Sequence, residues 1–367
     1  MKKVLFSLAV STLVLVSCEQ DTTDPQNEIL AQEVQVDMSD FYVYTDEVEN
    51  DLSSKGNNSK DCATMRVLNK NLKANKGLEK RMYDIEKHAR KFIASKKPDK
   101  PGNGNGNGNG GGGGDGDGGG DPVDDGLGVI NIPVVVHVIY SNSNENISDA
   151  QINSQIAVLN KDFNATNGDV NQVPSEFAGR VADSDFNFTL DQVIRVSSSR
   201  TSWGTNDAMK SSANGGSDVV SPATHLNMWV CNIGGGILGY AQFPGGSAST
   251  DGVVVSPQFF GTTGFVSAPF NGGRTMTHEV GHWANLRHIW GDGRCKRDDF
   301  VADTPSSDAP NYGCPSYPTV NCRSNDMTMN YMDYVDDACM YMFSEGQKSR
   351  MRAIFAPGGA RASFLGS

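Results

Sequence analysis

Positive charge is what this chain is short of: 31 Lys and Arg stand against 43 Asp and Glu in 367 residues, a formal net charge of -12. No basic footprint for nucleic acid is present, although acidity by itself selects no partner. Long apolar runs are missing too. The stretch from Val4 to Val16 falls short of the roughly 20 residues that span a bilayer, so any attachment to a membrane has to come by another route. Cysteine is limited to seven residues and histidine to six. Half of those histidines nevertheless fall between His278 and His288.

That short stretch carries metal-ligand spacing. His278 and His282 are four apart, so on a helix their side chains stand one above the other and aim two ring nitrogens at one point. Glu279 projects beside the pair, where a carboxylate can take a proton from a metal-held water without displacing a ligand. His288 is the natural third ligand, provided the chain leaves the helix and turns sharply after His282. Asn285 stands at that point, and Asn enters the left-handed region more readily than other non-Gly residues. A surface helix merely rich in histidine is the competing reading; the concentration of the few histidines here argues against it.

With Asn330-Tyr331-Met332-Asp333-Tyr334 further on, this run resembles the metzincin pattern H-E-x-x-H-x-x-G-x-x-H followed by a Met-turn, with Asn285 where most metzincins carry Gly. The stretches HEVGHWANLRHIWGD, DDFVADTP and NYMDYVDDACM are similar to the pappalysin family, in its bacterial cytophagalysin-like branch, over roughly Ile132 to Phe355. The resemblance implies an α+β zincin fold: a twisted mixed sheet with a backing helix and an active-site helix, then an irregular, disulfide-linked C-terminal subdomain with the Met-turn. It implies a zinc endopeptidase made as a zymogen, with zinc on His278, His282 and His288, and Glu279 as general base. Met332 becomes the apolar floor under the metal, and Tyr334 approaches it to stabilise the oxyanion. The substrates would be proteins or peptides and the enzyme a monomer. Four cysteines after the third ligand allow three pairings; the resemblance selects Cys295 with Cys322 and Cys314 with Cys339. It also suggests structural calcium in the loop Asp298 to Thr304, through Asp299 and Thr304, whose oxygens suit a hard cation. A solvated acidic loop is the alternative there. Family members that cut before Arg or Lys use an acidic pocket, to which Asp336 and Asp337 could contribute; Ala338 leaves that alignment open.

The start of the chain speaks to compartment. Lys2 and Lys3 precede the short apolar run, which has the shape of a secretory signal, and Leu15-Val16-Ser17-Cys18 looks like a bacterial lipobox. Residues 1–18 are thus expected to be a lipoprotein signal, with Cys18 the acylated N-terminus and the protein exported to the outer membrane or cell surface; an ordinary signal peptide cut nearby is the alternative. Residues 19–60 are polar and acidic apart from Phe41 to Tyr44 and are expected to be largely tether. In 61–100, Leu68, Leu72, Leu78, Met82, Ile85, Phe92 and Ile93 recur at mostly helical spacings among Lys and Arg, as in one or two amphipathic helices. Cys62 opens this block. In pappalysin-like zymogens a propeptide cysteine of this kind takes the open zinc position, and a thiolate there would exclude water; a free thiol or a bond to Cys231 is the alternative. Residues 101–126 are almost pure Gly, Asn and Asp, a flexible linker with an r.m.s. reach of about 28 Å. Lys96, Lys97 and Lys100 precede it as candidate activation sites.

Residues 127–367 are expected to form the catalytic domain. Val129 to Tyr140 reads as a central strand, and His137 inside it as a buried, hydrogen-bonded residue rather than a ligand. Ser148 with Gln151 forms a capping box for a helix with the apolar stripe Ile152, Ile156, Leu159 and Phe163. Strands are expected around Phe186 to Leu190, Leu226 to Val230 and Val253 to Val255, with Cys231 a buried strand thiol. The Gly-rich loop Gly234 to Gly246 has no phosphate-loop spacing; by the resemblance, an edge strand near it would pair with substrate backbone. The active helix is placed at roughly Arg274 to Asn285, with Trp283, Leu286 and Trp290 packing its far side, and Ser344 with Gln347 caps a last helix. The rival functional class is a non-catalytic, metal-stabilised surface binding protein, for which Glu279 would have no use. For the anchor, metabolic labelling with a fatty acid should mark the wild-type chain and leave Cys18→Ser unlabelled.

Overall fold

The β-branched run read as a central strand is one: β1 (Ile130–Tyr140) has a neighbour on each side. In this computed structural model, which describes residues 34–45, 62–96 and 124–366, the sheet also contains β2 (Phe186–Ser197), β3 (Leu226–Val230), β4 (Gly239–Ala241) and β5 (Val253–Val255), in the order β2-β1-β3-β5-β4. All neighbours are parallel except β4, which runs antiparallel to β5 along the edge. Pro133 lies just ahead of the β1–β3 ladder, which begins at Val134. Cys18, the apolar start of the chain and nearly all of the Gly/Asn/Asp linker lie outside the described residues. The described residues from Gln35 onward form one packed unit.

Six helices accompany the sheet among the described residues: α1 (Thr64–Ala74), α2 (Leu78–Lys96), α3 (Asp149–Phe163), the short α4 (Ser175–Ala178), α5 (Arg274–Trp283) and α6 (Glu345–Ala353). The backing helix is α3, and its stripe of Ile152, Ile156, Leu159 and Phe163 is buried in the main core. Ser148 Oγ accepts from the Gln151 N–H at 3.2 Å as expected, but the box is only half made. The Gln151 amide instead donates to the Pro257 and Phe260 carbonyls at 2.9 and 2.8 Å, because the loop after β5 passes close enough to need it. Gln155 reaches the start of α5, donating to the Gly273 carbonyl at 2.9 Å. At α6 the reciprocal Ser344/Gln347 box is complete.

α5 packs against α3, β4 and β5 and ends two residues earlier than expected, because Ala284 already leaves helical geometry. Asp337 holds the other end: its Oδ2 accepts from the Gly272 and Arg274 N–H groups at 2.8 and 3.2 Å. A carboxylate that the sequence offered to an acidic pocket is thus used as a cap on two orphan donors. The C-terminal region is irregular, with one hairpin of β6 (Val320–Asn321) and β7 (Ser324–Asn325). The expected disulfides, Cys295–Cys322 and Cys314–Cys339, are both formed.

Phe41 to Tyr44 departs from the expected tether. Val43 is buried with α1 and α2, and Tyr42 lies under the Arg287 guanidinium, 4.4 Å from its ring. Four residues of mixed aromatic and β-branched character were enough to dock a stretch otherwise too polar to fold.

Asp337→Ala should lower stability by about 1–3 kcal/mol, the cost of stranding buried donors, read as an earlier midpoint in urea unfolding of the intact chain.

Candidate metal centre

His278 and His282 stand on consecutive turns of α5, and the chain turns back through Asn285, whose φ is 78°. That turn is closed by Leu286 N–H to the Gly281 carbonyl at 2.9 Å, and it swings His288 under the pair. The Nε2 atoms of His278 and His288 lie 3.1 and 3.2 Å from that of His282. Each ring is held from behind at Nδ1: His278 by the Tyr331 carbonyl at 2.7 Å, His282 by the Leu286 carbonyl at 2.8 Å, His288 by Asp292 Oδ1 at 2.5 Å. Carbonyls only accept, so His278 and His282 carry their protons on Nδ1 and turn lone pairs toward one point. Three such nitrogens so close, in a wholly buried site, are compatible with one another when a cation lies between them; soft and borderline donors of this kind suit zinc.

Cys62 completes the set. Its Sγ and one nitrogen from each histidine all lie within 4.8 Å of one another. Burial beside Glu279 raises this thiol well above the usual range, an unfavourable placement for a thiolate that a neighbouring divalent cation reverses. Glu279 Oε2 is 3.4 Å from Cys62 Sγ and accepts from Thr64 Oγ1 at 2.8 Å. The same Thr64 hydroxyl accepts from the Ala241 N–H at 2.8 Å. The Ala63 N–H reaches the Gly239 carbonyl at 3.0 Å, so the segment from Cys62 lies along β4 as a parallel neighbour. Gly239 itself lies tight against β5 and α5: a Cβ there would stand 2.9 Å from the Val254 carbonyl and 3.1 Å from Glu279 Cγ.

Met332 is fully buried beneath α5, and a Cβ on Gly281 would meet its sulfur at 2.5 Å. The turn that carries it is fixed by Asn330, which exchanges two hydrogen bonds with Gln347. The Tyr334 hydroxyl donates to the Cys62 carbonyl at 3.3 Å, and its ring meets the His288 ring edge to face at 4.8 Å. Trp290 is not on the far side of α5 as expected. It stacks on His288 at 4.3 Å, because the chain has already doubled back by then. Trp283 does lie on the far side, under Arg361.

Of the remaining candidates, Asp299 and Thr304 are brought together, with Thr304 Oγ1 2.9 Å from both carboxylate oxygens; burial and then the neighbouring Asp298 push the Asp299 carboxyl well up. His137 is a core residue bonded to Ser217 and Asn227, its pKa lowered to about 4 by burial. Cys231 is buried without a disulfide. Sequence reasoning missed Thr64, Asp292 and the outer fastening of the N-terminal segment. There, Glu86 on α2 makes two bonds of 2.6 and 3.0 Å to Arg350, whose Nε donates to the Asn285 carbonyl at 2.9 Å. The Tyr42 hydroxyl reaches the Gly291 and Asp298 carbonyls. A Glu at a buried face of α2 was the available signal.

Residues 220–356 match the family described as Pregnancy-associated plasma protein-A. Extracellular metalloprotease 1 of Coccidioides posadasii is 34% identical over 239 residues, covering 62% of this chain and 77% of the fungal protein. The chain belongs to the pappalysin family. As a pappalysin it is a zinc-dependent metalloendopeptidase of the metzincin type, acting on proteins or peptides and made for export. Among solved structures, mature mirolysin of Tannerella forsythia, in complex with a cleaved peptide, is 45% identical with a TM-score of 0.63, over 65% of this chain and 96% of that one. A promirolysin mutant is 37% identical with a TM-score of 0.71, over 83% and 97%. The proenzyme covers more of this chain than the mature enzyme does, and this pappalysin too is made as a zymogen.

The Glu86–Arg350 pair gives the zymogen a pH dependence. Burial alone would raise the Glu86 carboxyl, but the Arg350 charge and the hydrogen bonds from Arg350 and Arg90 outweigh it and bring it down to about 2. Its unfolded value is near 4.3, so between those limits the unfolded chain holds more protons, and stability rises with pH through that window. Glu86→Gln should therefore cost about 3 kcal/mol at pH 7 by leaving Arg350 buried without its partner. In urea unfolding of the zymogen the difference from wild type should shrink as pH falls from about 4.3 towards 2.

Proposed function

We propose that His278, His282 and His288 hold the catalytic zinc, that Glu279 is the general base, and that Cys62 closes the site until residues 61–100 are removed. The observation that carries this is the convergence of three imidazole nitrogens and one thiol within 4.8 Å, with a carboxylate at their side. Zinc held there supplies Lewis acidity, polarising a carbonyl and making water a stronger acid. Glu279 accepts the proton of the attacking water and passes it to the leaving amine. Asp292 and the Tyr331 and Leu286 carbonyls keep the rings oriented and their tautomers fixed.

Two contacts of the N-terminal segment are read as stand-ins for substrate. The Tyr334 hydroxyl, now on the Cys62 carbonyl, would donate to the carbonyl oxygen of the scissile bond as charge develops on it. The edge of β4, now on Ala63 and Thr64, would take substrate backbone. Inhibition is then double: Cys62 occupies the open metal position while Thr64 ties up Glu279. Residues 127–367 are the catalytic domain in this reading, acting as a monomer, with structural calcium at Asp299 and Thr304 and a lipid anchor at Cys18. A metal-stabilised binding protein would have no use for a buried carboxylate beside its metal ligands.

In casein digestion by the trimmed domain, Glu279→Ala should lose at least about 10²–10⁴-fold in activity while elemental analysis still finds one zinc, and a calcium that Asp299→Ala removes. Cys62→Ala precursor should cleave a short peptide before any activation cut. Full activity of Glu279→Ala, or a Cys62→Ala precursor as silent as wild type, contradicts the respective role.

A further inference from the structure

One buried apolar cluster is assembled almost wholly by the N-terminal segment: Val43, Met65, Leu68, Leu72, Leu78 and Met82 close around a single side chain from the catalytic region, Phe243. Phe243 is 4% exposed, and its ring centre lies 5.5 Å from that of His282. It stands two residues beyond β4, on the same edge whose Gly239 carbonyl and Ala241 N–H are taken by Ala63 and Thr64.

The loop that presents it is held by contacts of its own. Gln242 N–H donates to the Gly252 carbonyl at 3.0 Å, and the Gln242 side chain is fixed by the Ser247 carbonyl at 2.8 Å and Thr250 Oγ1 at 2.6 Å. The position of Phe243 therefore does not depend on the helices that cover it. A cavity of about 120 Å³ lies between this loop and α1, with Phe243, Leu68 and Leu78 in its wall. When the N-terminal segment leaves, a large aromatic ring is uncovered beside a zinc-site histidine, at the end of a strand edge open for pairing.

We propose that Phe243 forms an apolar subsite for a bulky aliphatic or aromatic side chain of the substrate, three to five residues before the scissile bond; this rests on the peptidase reading above. The direction follows from pairing. An extended peptide added to β4 gains most by running antiparallel to it, opposite to the parallel course of Cys62. With the residue at the cut beside Gly239, successive contacts along the edge fall at Ala241 and then Phe243, on the amino-terminal side of the substrate. The chemistry of the site is that of Leu68, Leu72 and Leu78, which fill it in the zymogen.

The test is a peptide set in which a single Leu is walked from five residues before to five residues after the cut in a Ser/Gly frame, digested by the mature enzyme and by Phe243→Ser and Phe243→Leu. Leu at one of the upstream positions should raise kcat/KM about ten-fold over Ser, chiefly through KM. The Leu/Ser ratio should fall to near one in Phe243→Ser and persist in Phe243→Leu, which keeps an apolar wall and so separates loss of the subsite from misfolding. No upstream preference, or an equal preference in Phe243→Ser, overturns the subsite. Failure of the wild-type mature enzyme to cleave any of these peptides or casein overturns the peptidase reading and the subsite with it.

Discussion

Three ring nitrogens converge on one point, two of them about 3 Å from the third, and their lone pairs repel one another, so the fold spends much of its detail on keeping them there. A carbonyl or carboxylate pins the back of each ring, Asn285 accepts a positive φ to bring the third ring round, and Gly281 gives up a side chain so that Met332 can lie against the helix. Each device is costly alone; together they set three nitrogens in the arrangement that suits a cation. The sheet, α3 and the C-terminal Met-turn are the scaffold that prevents the rings from relaxing outward.

The N-terminal segment is fastened by the same rule of converging contacts, spread over four places. At the centre, Cys62 and Thr64 engage the metal ligands and Glu279. Along the edge, Ala63 borrows the pairing capacity of β4. Farther out, Glu86 pairs with Arg350, which in turn holds the carbonyl of Asn285, in the turn that brings His288 round. The outermost fastening, Tyr42 on the loop after His288, lies upstream of the helices altogether. The segment thus touches both the histidine cluster and the turn that shapes it.

Most of the candidate site was legible in the sequence because its parts are local. His278, Glu279 and His282 are read from helical spacing alone, Asn285 from its tolerance of positive φ, and β1 and α3 from their apolar periodicity. What stayed hidden depended on distant partners. Trp290 could not be put against His288 without knowing how tightly the chain doubles back. Gln151 looked like half of a capping box because its true acceptors, Pro257 and Phe260, are a hundred residues away. Asp337 looked like a pocket residue until Gly272 and Arg274 appeared beside it, and Tyr42 and Val43 looked like spacer because their surroundings are polar. Thr64 was in view next to Cys62, but only the position of Ala241 gives its hydroxyl a reason to sit on Glu279.

The parallel course of Cys62 beside Gly239 bears on durability. A chain lying along β4 in this direction offers its amide bonds with nitrogen and carbonyl carbon exchanged relative to a peptide that runs antiparallel to the same edge. In the reading proposed above, the segment that closes this cleft would therefore lie against the residues that cut peptides without offering them a bond in the productive direction.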